Sequence, residues 1–73
     1  MTELAEQILS DLQTAAESHF AGALSRAAII EAVKLSILCL VNDYGWDTID
    51  AITRTASVVA AVEHLAKSRA ALN

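Results

Sequence analysis

Residues 26–44, RAAIIEAVKLSILCLVNDY, carry the strongest structural signal in this chain. At the 100° step of an α-helix, Ile29, Ile30, Val33, Ile37, Leu40, Val41 and Tyr44 gather on one side. Ala28, Leu35, Leu38 and Cys39 fall on or near the opposite side, and Arg26, Glu31, Lys34 and Asn42 leave only a narrow polar strip. A helix apolar nearly all round is normally buried. The rest of a 73-residue chain can hardly enclose it completely, so the segment predicts a helix that needs cover from outside its own domain. Ala28, Leu35, Leu38 and Cys39 are therefore the expected oligomer interface, and a helical-bundle homodimer is the expected assembly.

Two punctuation marks bound this helix. On one side stands Ala21-Gly22-Ala23, and on the other Asn42-Asp43-Tyr44-Gly45-Trp46-Asp47. Elsewhere the chain has no proline and 15 alanines, which removes helix breakers and supplies the best helix former. An all-α, compact three-helix domain over residues 1–73 follows, with helices at about 3–20, 26–44 and 48–72. Four helices would result if the third broke near residues 53–55, where Thr53, Arg54 and Thr55 interrupt the apolar pattern.

The first helix places Leu4, Ala5, Ile8, Leu9, Leu12, Ala15 and Ala16 in one arc and its polar residues in the other, with Thr2 and nearby acids at its positive end. Gly22 is its expected stop, and Ser25 the cap of the second helix. Gly45 suits a left-handed helix end, and Asp47, followed by Asp50, suits the cap of the third. Ile52, Thr55, Val59, Val62 and Ala66 are expected along the centre of that helix, and Ala56, Ala60, Ala61, Ala66 and Ala70 are expected to let a neighbouring backbone approach closely.

Composition narrows the function classes. The hydrophobic content of 55% and mean hydropathy of +0.44 are rich for so small a domain, which again favours a shared core. The stretch Ala27 to Val41 is too short, and too interrupted by Glu31 and Lys34, to span a bilayer, so no membrane association is expected. An acidic start in place of a basic signal region, together with one free cysteine, makes a cytoplasmic protein the expectation. The net charge is −4, and residues 1–25 contain no Lys or Arg. Five dispersed bases do not form the cationic cluster that phosphate recognition needs, which argues against nucleic acid. The helix–turn–helix around Gly45 resembles a DNA reader only in topology, because its second helix opens on Asp47 and Asp50.

Catalytic and metal chemistry find no pattern. Cys39 lies mid-helix between Leu38 and Leu40 and reads as a core thiol, His19 as a cap for the last carbonyls of its helix, and His64 as a surface residue. No Glu-x-x-His pair, calcium loop or phosphate-binding glycine run occurs. No cofactor or metal is expected, and the chain is not expected to be an enzyme. The remaining expectation is a protein-binding accessory, regulatory or inhibitory module. Its docking residues would be Glu3, Glu6, Asp11 and Glu17, facing a basic patch, with Tyr44 and Trp46 as aromatic anchors. A purely structural oligomer, a helix-turn-helix-like DNA-binding regulator and a small-molecule-binding helical protein are the alternatives.

Overall fold

The computed structural model describes residues 2–72, and the side chains of residues 4–72. Three helices fill them: α1 (Thr2–Phe20), α2 (Arg26–Asn42) and α3 (Thr48–Leu72). The proposed cap at Thr2 and the acid at Glu3 lie outside the described side chains. Each helix packs on both others, and α3 runs unbroken through Thr53–Thr55 because Thr55 turns inward and its hydroxyl satisfies itself on the helix backbone.

Local chemistry sets the ends. After α1, Gly22 adopts φ +84° while its N–H donates to the His19 carbonyl and that of Ala23 donates to the Ser18 carbonyl. This paired closure of orphan carbonyls requires a left-handed residue, which glycine supplies without strain. Ser25 then accepts from the Ala28 N–H at 3.1 Å, capping α2. Helix α2 stops at Asn42, two residues short of the expected end, as the chain turns through Gly45 at φ +70°. Asp47 Oδ2 accepts from the N–H groups of Ile49 and Asp50 and so caps α3.

Two core layers show how the helices run. In one, Ala5 and Leu9 of α1 meet Leu40 and Ala51. In the other, Leu12 and Ala16 meet Ile29 and Val62. Ascending α1 therefore means descending α2 and ascending α3, an up-down-up bundle, and Val58 packs against both layers. At 1.5 Å per residue the 25-residue α3 alone is roughly 37 Å long, which accounts for overall dimensions of 42 × 20 × 20 Å.

The buried stripes differ from the expected ones in detail. On α3 the inward line is Ala51, Thr55 and Val62, so Ile52 is rotated to the edge and half exposed, and Leu65 is exposed too. Ala51 permits the close approach, whereas Ala56, Ala60, Ala61 and Ala70 face solvent. On α2 the inward line follows Ile29 and Leu40, which turns Ile30 outward. Leu4 is likewise exposed, one helical step round from the buried Ala5. Each shift has one cause: an apolar arc wider than the contact it serves is trimmed by the geometry of only two neighbours.

Candidate interaction surface

The outer side of α2 combines apolar and polar groups. Leu35 and Leu38 project from it, 56% and 47% exposed, and Ile30 flanks them. Glu31 and Lys34 lie on the same side and approach at 3.8 Å, an exposed pair worth at most about 1 kcal/mol. Ala28 and Cys39 sit at the margin, both half-buried.

Cys39 is not the core thiol that its neighbours suggested. Its Sγ–H donates to Oδ2 of Asp43, the residue that caps the end of α2, at 3.2 Å. The hydrogen bond to Asp43, then burial, then the carboxylate's charge all hold its pKa above the ordinary thiol value. An electronegative neighbour of this kind quiets a thiol rather than activating it. The i,i+4 spacing of Cys39 and Asp43 carried this signal in the sequence.

The acids proposed as a docking face stand in different settings. Glu6 reaches Arg54 of α3 at 3.8 Å, so one of the expected free acids has a base across the helix boundary. Asp11 accepts from Gln7 Nε2 at 2.9 Å, and Glu17 stands exposed beside a cleft between α1 and α3. That cleft, about 250 Å³, has Phe20, Val62, Leu65 and Ala66 as its apolar lining and Gln13, Glu17 and Arg69 at its polar edge. Linear reading missed it, because one wall comes from the end of α1 and the other from the second half of α3, far apart in the chain.

Tyr44 and Trp46 are half-buried and pack against the layer containing Leu9 and Leu40. Trp46 is held further by its backbone N–H, which donates to the Leu40 carbonyl, and by the Arg54 guanidinium 5.7 Å from its ring centroid. His19 corrects another expectation. Its Nδ1 bonds the Leu24 carbonyl at 2.8 Å rather than the last carbonyls of α1, tying the α1–α2 loop to the helix it leaves. Since a carbonyl only accepts, Nδ1 carries the proton. His64 stands exposed on α3.

Among the described residues, no group of three or more His, Cys, Asp or Glu side chains is placed to hold a metal ion, and no helix is long and apolar enough to cross a membrane. No protein-family model, curated protein or solved structure shows a significant match to this chain.

Proposed function

We propose that this chain is a small protein-binding accessory module, regulatory or inhibitory in character, that acts through surface contacts rather than through a reaction. The observation that carries the reading is the outer side of α2, where Leu35 and Leu38 keep about half their surface in water while the opposite side of the helix buries Ile29 and Leu40. Apolar residues scattered singly on a surface are ordinary, whereas contiguous apolar patches mark interaction sites. The acids of α1 add an encounter surface, since Asp11 and Glu17 meet no base within ion-pair distance among the described residues. Unscreened acids attract a basic patch and accelerate association.

Affinity capture with the wild-type chain and an Asp11→Lys, Glu17→Lys variant tests the proposal. One stoichiometric protein partner, lost on charge reversal and retained less strongly at high salt, is the expected result. Recovery of no macromolecular partner at low or physiological salt, with a specific small molecule retained instead, would overturn it. The α1–α3 cleft favours that second reading, although about 250 Å³ lies below the roughly 300–1,000 Å³ of small-molecule sites.

A further inference from the structure

We infer that the α1–α3 cleft holds a small zwitterion with an apolar tail, an α-amino acid the size of leucine, with its carboxylate on Arg69 and its ammonium on Glu17. The inference goes beyond the protein-binding reading, which rests on the outer side of α2.

Charge selects the class of ligand. Glu17 and Arg69 border one apolar floor, formed by Phe20, Val62, Leu65 and Ala66. Neither has an ion-pair partner among the described residues, and although they share the cleft they do not reach each other. One acid and one base beside the same apolar surface are complementary to a ligand that carries both charges and a hydrocarbon tail. A purely cationic ligand would leave Arg69 opposed, and a purely anionic one would leave Glu17 opposed. A second hollow, bordered by Trp46, Asp47, Asp50, Thr53 and Arg54, lacks this arrangement, since Asp47 caps α3 and Arg54 is engaged by Glu6 and the Trp46 ring.

The helices then set the orientation. Glu17 stands in the last turn of α1, whose carboxyl end favours a cation, so the ammonium belongs there. Arg69 presents a planar guanidinium, which takes a carboxylate through two parallel hydrogen bonds. Gln13, one turn before Glu17, adds an amide that can serve either charge. Below them Val62 is buried and Phe20 packs against its cluster, so the floor is held by the core. Leu65 is 55% exposed on the wall of the cleft, and the ligand's tail would cover it.

Volume limits the tail. An apolar cavity of about 150 Å³ takes benzene, so about 250 Å³ takes on the order of ten heavy atoms. Leucine and isoleucine meet that size.

Titration of the full chain with leucine, followed by the amide NMR resonances of Gln13, Glu17, Leu65 and Arg69, tests the inference. Saturable shifts confined to the cleft, half-complete at about 1 mM, are expected for so small a ligand in an open site. Isocaproate, which is leucine without its ammonium, isoamylamine, which is leucine without its carboxylate, and glycine, which lacks the tail, should each bind roughly three- to tenfold more weakly. Arg69→Gln and Glu17→Gln replace exposed side chains, so helix content by circular dichroism should be unchanged. Arg69→Gln should bind leucine no better than isoamylamine, and Glu17→Gln should bind leucine no better than isocaproate. No saturation at roughly thirtyfold higher leucine, equal binding of leucine and both analogues by wild-type, or leucine binding untouched by either variant would overturn the inference. A protein partner captured by a chain that ignores leucine would overturn it while leaving the protein-binding reading intact. Leucine binding by a chain that captures no protein would do the reverse.

Discussion

Leu40→Ala and Leu35→Ala make a matched pair, because both remove the same three carbon atoms from the same helix and change intrinsic helix propensity equally. They differ in burial: Leu40 is 0% exposed, in contact with α1 and α3, and Leu35 is 56% exposed. Truncating Leu40 should therefore forfeit transfer free energy and leave a cavity, costing about 2.7–5 kcal/mol. For Leu35, less than half of a burial value of roughly 1.5–3 kcal/mol is at stake, no enclosed cavity forms, and alanine's helix propensity offsets part of the loss. Its cost should stay below about 1 kcal/mol. Total stability for 73 residues is on the order of 4–11 kcal/mol, so Leu40→Ala should visibly lower the urea midpoint and Leu35→Ala should barely move it. In melting temperature, each 1 kcal/mol corresponds to roughly 4–8 °C for a domain of this size. The comparison is made by circular dichroism at one fixed, low protein concentration for both variants. Equal costs for the two substitutions would refute the assignment of α2's inner and outer faces.

Other expectations follow from single contacts. Thr55→Val should change stability by less than about 1 kcal/mol in urea titration, because the Ala51 and Ile52 carbonyls that accept its hydroxyl keep their helical partners, while a loss above about 2 kcal/mol would mean the hydroxyl has a further role. Asp47→Ala should cost about 1 kcal/mol in the same assay, since two N–H groups of α3 lose their acceptor, and no loss would discount the cap. Gly22→Ala should cost roughly 1–2 kcal/mol through its positive φ alone, as a Cβ there meets nothing within 4 Å. Cys39 should alkylate more slowly than a free thiol at mildly alkaline pH, and Asp43→Asn should accelerate it, with no change in rate counting against the Sγ–carboxylate bond. Because folding raises this thiol's pKa, its contribution to stability is complete below the ordinary thiol range and is lost as pH rises through the raised value, so alkaline urea titrations should show wild-type weakening more than Cys39→Ala.

The sequence alone determined the kind of elements and the two turns that separate them, because those depend on neighbours along the chain, whereas the continuity of α3 through Thr53–Thr55 was decided when Thr55 turned inward. Gly22, Ser25, Gly45 and Asp47 act through bonds spanning a few residues, and the apolar recurrence of α1 and α2 acts through a fixed helical step. The excess of apolar residues on α2 was also legible, since a helical wheel is a local construction. Only the tertiary structure decided which edge of each wide apolar arc is covered. Ile30 and Ile52 share the hydrophobicity of Ile29 and Val62, yet the angles at which two neighbouring helices approach leave the first pair in water and bury the second. The same holds for charge: Glu6 reads as a free acid until α3, parallel to α1, brings Arg54 to within 3.8 Å. The α1–α3 cleft and the seat of Trp46 beneath Arg54 likewise join residues distant in the chain. Helical periodicity specifies a direction around one axis, whereas burial and pairing depend on the distance between axes, and that distance is set only when all three helices pack.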